Sequence, residues 1–136
     1  GNIIVADYEN RMSVDIQNAG LGPLIIKKFV ALDKNDNELN SLIEAFKDSK
    51  IKEWTSFIEQ IKDRIIPPSK KLNLIEMHYD VNNNTDIENR EIIRNVLKEI
   101  TIKVYYTDVY GEKENFVQRK LDFFGRHFRI DALSKT

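Results

Sequence analysis

Period-two alternation constrains this chain more than any other feature. Apolar Ile100, Ile102, Val104 and Tyr106 alternate with Thr101, Lys103, Tyr105 and Thr107, and Met12, Val14 and Ile16 alternate with Ser13, Asp15 and Gln17. Successive strand residues face opposite sides of a sheet, so each run turns one face to a core and the other to water. Half-buried strands of this kind belong to antiparallel sheets, whose apolar faces need a second layer to cover them. The chain is long enough for that: at 136 residues, a domain buries roughly 68–70% of the surface its unfolded chain exposes. It contains no cysteine, so neither a disulfide frame nor a thiolate metal site contributes.

Residues 23–32, PLIIKKFVAL, carry β-branched Ile25, Ile26 and Val30, which are stiff at χ1 and favour extended chain. Residues 72–79, LNLIEMHY, read as a strand with apolar residues on both faces, as in a central strand or one with a bulge. DVYGEK turns the strand that starts near Ile100, and residues 115–123 return as its hairpin partner. Elsewhere the period becomes helical. Leu39, Leu42, Ile43 and Phe46 recur at helical spacing, with Ser41 and Glu44 placed as in a capping box. Trp54, Phe57, Ile58 and Ile61 repeat the pattern until Pro67 and Pro68 stop it. Together they predict a helical insert over about residues 39–64. Ile92, Ile93, Val96, Leu97 and Ile100 predict a second short helix over about residues 89–99, and beyond Gly125 the chain reads as a weakly structured tail.

The stretch QNAGLGPLII admits two readings. A dinucleotide fingerprint needs G-x-G-x-x-G after a strand and at the start of a helix, where the helix N-terminus holds the pyrophosphate. Gly20 and Gly22 supply the first two glycines, but the third position is Ile25, Pro23 interrupts the loop, and β-prone residues follow. Glycine's tolerance of positive φ, followed by a proline, makes a tight strand-to-strand corner the better reading.

The string VDIQNAGLGPLIIKKFVALDKNDNEL resembles the N-x-G-x-G-P signature of bacterial membrane-tethered, immunoglobulin-like extracytoplasmic domains of unknown function. Here it is carried by Asn18, Gly20, Gly22 and Pro23. IPPSKKLNLIEM resembles the proline-led step of such domains into a later strand, and ITIKVYYTDVYGEKENF resembles their closing hairpin. The resemblance implies a sandwich fold, a place outside the cytoplasm and no catalytic residues. Leu24, where a small residue often follows the proline, and the stretch from Leu39 to Arg64 depart from the pattern.

Residues able to carry chemistry are sparse. Asp33, Asn35, Asn37 and Glu44 fall at calcium-loop spacing, and Asp80, Asn82, Asn84, Asp86 and Glu91 repeat it, but Glu38 and Thr85 stand where the sharp turn requires glycine. Asn- and Asp-rich turns arise for backbone reasons alone, so no metal residues are assigned. His78 and His127 share no metal spacing, and no serine stands in a G-x-S-x-G elbow. Trp54 with Tyr105, Tyr106 and Tyr110 could form an aromatic binding surface or pack against the sheet, and packing is the stronger expectation. Lys plus Arg (21) nearly balance Asp plus Glu (22), so no broad positive field draws nucleic acid.

The expected fold is therefore mainly β: an immunoglobulin-like antiparallel sandwich of six or so strands with the helical insert and the second short helix, in a single domain spanning residues 1–136. No run of about 18 apolar residues is present, and a chain opening on Gly1-Asn2 without an initiating Met reads as one whose natural start, with a membrane anchor, was removed. The expected function is non-enzymatic, without cofactor: an extracytoplasmic interaction or accessory domain of a bacterial membrane-associated protein, offering a sheet face or loops to a protein partner. The competing reading is a cytoplasmic α+β enzyme or nucleotide-binding domain built on the Gly20–Gly22 loop.

Overall fold

The alternating segments pair as their apolar faces require. A computed structural model describes residues 1–108, 111 and 113–126. β1 (Asn2–Asp7) and β2 (Arg11–Gln17) form an antiparallel hairpin with Ile3 opposite Ile16 and Val5 opposite Val14. β7 (Lys71–His78) adds to the other side of β2, and β5 (Ser56–Phe57) to the far side of β7. The second sheet is centred on β3 (Leu24–Leu32) and β8 (Thr101–Thr107), with β9 (Asn115–Lys120) beyond β8. β4 (Glu38–Leu39) and β6 (Ile65–Ile66) take opposite ends of the remaining edge of β3.

Met12, Val14 and Ile16 from one sheet and Ile26, Ala31, Ile102 and Val104 from the other are buried in a shared core, so the two sheets form a β-sandwich. The strand orders β1-β2-β7-β5 and β4-β3-β8-β9 match the ABED and CFG sheets of an immunoglobulin constant-type domain, with β4 added in the C′ position. By strict alternation the apolar residues of β7 would fall on both faces, but the register slip between Val14 and Asp15 sets Leu72, Ile75 and Met77 opposite Ile16, Val14 and Met12, so they share the core face, and both Leu74 and Ile75 are buried. The extra residue on β7 is a β-bulge, which lets a polar row resume beyond it.

The corner at Gly20–Pro23 leads into a strand. Asn18 is buried and pins it: its Nδ2 donates to the carbonyls of Gly22 and Ile66, each at 2.8 Å, while its Oδ1 accepts the Gly20 N–H at 2.9 Å. A Cβ on Gly20 would stand 3.2 Å from Asn18 Oδ1, so the close approach suits glycine. Because β3 starts at Leu24, no helix N-terminus lies after the loop, and the phosphate-cradle reading of Gly20 and Gly22 is corrected.

Helix content is distributed differently from the spacing. Residues 39–64 contain one helical element, the 3₁₀ turn Leu42–Phe46, which buries Leu42 and Phe46. The second helical set does not coil. Ile58 N–H donates to the Leu74 carbonyl and Asp63 N–H to the Ile26 carbonyl, while the Ile26 N–H is taken by Arg64. Backbone groups on the open edges of β7 and β3 need partners, and satisfying them outweighs a local helical period. The expected second helix is present as α1 (Asn84–Leu97) and starts earlier than its apolar spacing suggests, because Asn83 caps it by accepting the Asp86 N–H at 3.0 Å. Strands β1, β4, β5 and β6 were not expected. The expected hairpin strand over 115–123 ends at Lys120, where the 3₁₀ turn Asp122–Gly125 follows. The tail from His127 lies outside the described residues.

Candidate interaction surface

The two outer faces of the sandwich differ in how their charges are arranged. On the β1-β2-β7-β5 sheet, Arg11 pairs with Glu76 at 3.6 Å, His78 Nε2 meets the same carboxylate at 2.8 Å, and Lys71 lies 3.9 Å from Asp15. Asn73 Nδ2 donates to Asp15 Oδ1 at 2.8 Å. Among the described residues Arg11 and Lys71 thus each have a carboxylate partner on their own face. His78 is held by a surface hydrogen bond to Glu76, and His127 falls outside the described residues.

The outer face of the other sheet is built from the polar side of the most regular alternation. With Ile102 and Val104 buried, Thr101, Lys103 and Tyr105 of β8 turn outward, and β9 exposes Phe116, Gln118 and Lys120. Register sets Phe116 opposite Tyr105, Gln118 opposite Lys103 and Lys120 opposite Thr101. From β3, Lys28 lies opposite Tyr105 and Val30 opposite Lys103. The Tyr105 and Phe116 rings sit 4.9 Å apart, tilted 39°, and the Lys28 ammonium stands 5.8 Å from the Tyr105 ring centre. Phe116 remains 49% exposed, enough that a partner covering it gains about 1 kcal/mol from apolar burial.

Among the described residues, Lys28, Lys103 and Lys120 have no carboxylate within ion-pairing distance, in contrast to the opposite face. Glu38 stands at the β4 corner, opposite Leu32. The face therefore carries a partly exposed aromatic pair beside a run of ammonium groups that have no ion-pair partner among the described residues. Such a face offers contact area and positive charge to a partner.

The aromatic residues named from the sequence separate. Tyr105 joins this face. Tyr106 turns to the interior side, where its hydroxyl accepts from the Gly1 amine at 2.8 Å, and desolvation lowers that amine's pKa. Trp54 packs edge-on against Phe46, with centroids 4.8 Å apart, as core. Tyr110 is outside the described residues. Sequence reading missed Phe116, Lys28, Lys103 and Lys120 as a group. The signal that finds them is the hairpin register: once the 115–123 return is aligned, Phe116 falls opposite Tyr105.

In both calcium-like sets the aspartates serve the backbone. Asp33 Oδ1 accepts the N–H groups of Asn35 and Asn37 at 2.8 and 3.0 Å, and the Asn37 backbone bond, with smaller contributions including Lys34, holds the Asp33 carboxyl below its ordinary range. Asp33, Asn35 and Glu44 line one cleft of about 410 Å³ beside the C-terminal end of α1, but Asn37 does not. In the second set Asp80 accepts from the Asn82 N–H, and Asp86 from the Asp80 N–H at 2.7 Å. Among the described residues, no group of three or more His, Asp or Glu side chains is arranged to hold a metal ion.

A buried polar cluster closes the end of the sandwich near the β1–β2 turn. Arg94 Nε donates to Asp7 Oδ1 at 3.0 Å and its Nη1 to Glu91 at 3.0 Å, while Arg126 donates to Asp7 Oδ2 at 3.0 Å. Arg90 reaches the Glu9 carbonyl. These contacts tie α1 and the last described residue to the first hairpin. Beside them the Tyr79 hydroxyl is buried, which, with the nearby Asp7 charge, pushes its pKa well above the usual tyrosine value. Both Asp7 oxygens are engaged, so the cluster acts as a clasp.

Comparison with family models, curated proteins and solved structures finds no match. Among the described residues, no helix is long and apolar enough to cross a membrane.

Proposed function

We propose that this chain is a non-enzymatic interaction domain, and that the outer face of the β4-β3-β8-β9 sheet receives a protein partner. The observation that carries the reading is the half-exposed Tyr105–Phe116 pair with Lys28 beside it and Lys103 and Lys120 on the following outward rows, none of the three ion-paired among the described residues. Interfaces place aromatic anchors inside polar rims, and this sheet face carries an aromatic pair with polar and charged side chains on the neighbouring rows. The N-x-G-x-G-P resemblance supports a setting on the extracytoplasmic side of a bacterial membrane, as an accessory domain of a membrane-associated protein.

The test is site-specific photo-crosslinking in the native host. A photoreactive residue in place of Gln118, on the proposed face, should give a discrete protein adduct that Phe116→Ala abolishes. The same residue in place of Lys71, on the self-paired face, should give none. Equal adducts from both positions, or none from Gln118, would refute the proposal. Protease added to spheroplasts should cleave the domain; protection until the membrane is lysed would refute the location.

A further inference from the structure

We infer that the occupant of this face is an extended, acidic protein segment carrying one aromatic side chain. This rests on the interaction reading above and adds the partner's chemistry. Register places Lys28 beside Tyr105 on β3, Lys103 one outward row further on β8, and Lys120 one row further again on β9, opposite Thr101. Neighbouring strands lie about 4.8 Å apart, and successive outward residues of one strand about 6.8 Å apart. The three ammonium groups therefore follow a diagonal across three strands with steps of roughly 8 Å between their attachment points.

An extended chain presents every second side chain to one side, with a repeat of about 6.8 Å. Acidic residues at alternating positions thus meet successive lysines of the diagonal, because a lysine stem is long and flexible enough to absorb the remaining difference. The Tyr105–Phe116 pair lies beside the Lys28 end of this line and offers the exposed edge of Phe116 to an aromatic side chain. Charge complementarity favours a carboxylate-bearing segment. A polyanion such as single-stranded nucleic acid is disfavoured: the chain's formal charge is -1, and the two rings pack on each other and are not splayed to receive bases.

Isotope-labelled protein is titrated with a peptide alternating Glu and Ser around a central Phe, and with three comparators. These are the same peptide with Lys in place of Glu, oligo-dT, and phosphatidylglycerol vesicles. The acidic peptide should give saturable amide shifts at Lys28, Lys103, Tyr105, Phe116 and Gln118. Its Kd should rise about tenfold with Lys103→Glu, the scale of one partly exposed charge contact reversed, and should weaken with added salt. Lys71→Glu on the opposite face should leave the Kd unchanged. Absence of saturable shifts, or tighter binding of oligo-dT or vesicles, overturns the inference. If the peptide fails while the Gln118 cross-link persists, the partner's chemistry is wrong and the interaction reading stands; loss of the cross-link itself defeats that reading.

Discussion

Replacing Asn18 with alanine tests how the corner between the two sheets is held. The substitution removes the two donations to Gly22 and Ile66 and the acceptance from Gly20, all between 2.8 and 2.9 Å. Gly20 and Gly22 are exposed, so water replaces those partners, and each lost bond costs about 0.5–1.5 kcal/mol. Ile66 is 2% exposed, and its carbonyl loses a partner that water cannot easily replace, at a cost of about 1–3 kcal/mol. Part of this overlaps, so the expected loss is roughly 2–4 kcal/mol. With an unfolding entropy near 0.3 kcal/mol/K for a chain of this length, Tm falls by about 7–14 °C. Asn18→Asp should be at least as damaging, because it retains the acceptor for Gly20 but turns a carboxylate oxygen toward two carbonyls. Differential scanning calorimetry measures both variants. A fall of less than about 2 °C for Asn18→Ala, under 1 kcal/mol on the same scale, would show that the asparagine does not hold the corner.

Other perturbations follow from the same geometry. Arg94→Met leaves the buried Asp7 carboxylate with less compensation and should cost about 3 kcal/mol in urea unfolding, while the Asp7→Asn/Arg94→Met double variant should recover part of that loss. Tyr79→Phe removes a buried hydroxyl that has no hydrogen-bond partner among the described residues, so stability at neutral pH should change by less than about 1 kcal/mol. In the parent protein the Tyr79 pKa is raised on folding, so its contribution is complete below the ordinary value of 10.0 and is lost as pH rises beyond it; Tyr79→Phe should remove that alkaline loss from the pH dependence of the urea midpoint. Asn83→Ala should destabilise by about 1 kcal/mol through the lost cap of α1, seen as a lower Tm. Millimolar calcium should leave Tm unchanged, because Asp33, Asp80 and Asp86 already bond backbone N–H groups; a clear rise would reveal a site.

Where side-chain periodicity and burial agree, the fold was legible. β2 and β8 were readable because each has a long alternation with one face in the core, β3 because its β-branched residues favour extended chain, and the bulged nature of β7 showed in the adjacent Leu74 and Ile75. Short edge elements were not. β5 and β6 contain two residues each and exist because the backbones of β7 and β3 recruit them, a tertiary cause that leaves no local pattern. The same recruitment explains why Trp54, Phe57, Ile58 and Ile61 sit at helical spacing without forming a helix. The start of α1 was hidden because Asn83 and Asp86 look like loop residues until one accepts the other's N–H. Of the candidate surface, Tyr105 stands on the polar side of its alternation, although packing against the sheet is the stronger sequence expectation for it. Phe116 and the lysine diagonal depend on register between three strands, which spacing within any one strand does not contain.

The central claim is that the lysine face is occupied in the cell and the opposite face is not. Mass-spectrometric footprinting with a lysine-acylating reagent compares purified protein with protein in intact host cells, reading Lys28, Lys103 and Lys120 against Lys71. Lower labelling of the first three in cells, with Lys71 equally reactive in both settings, is the expected result. Equal labelling of all four lysines in both settings would contradict the account.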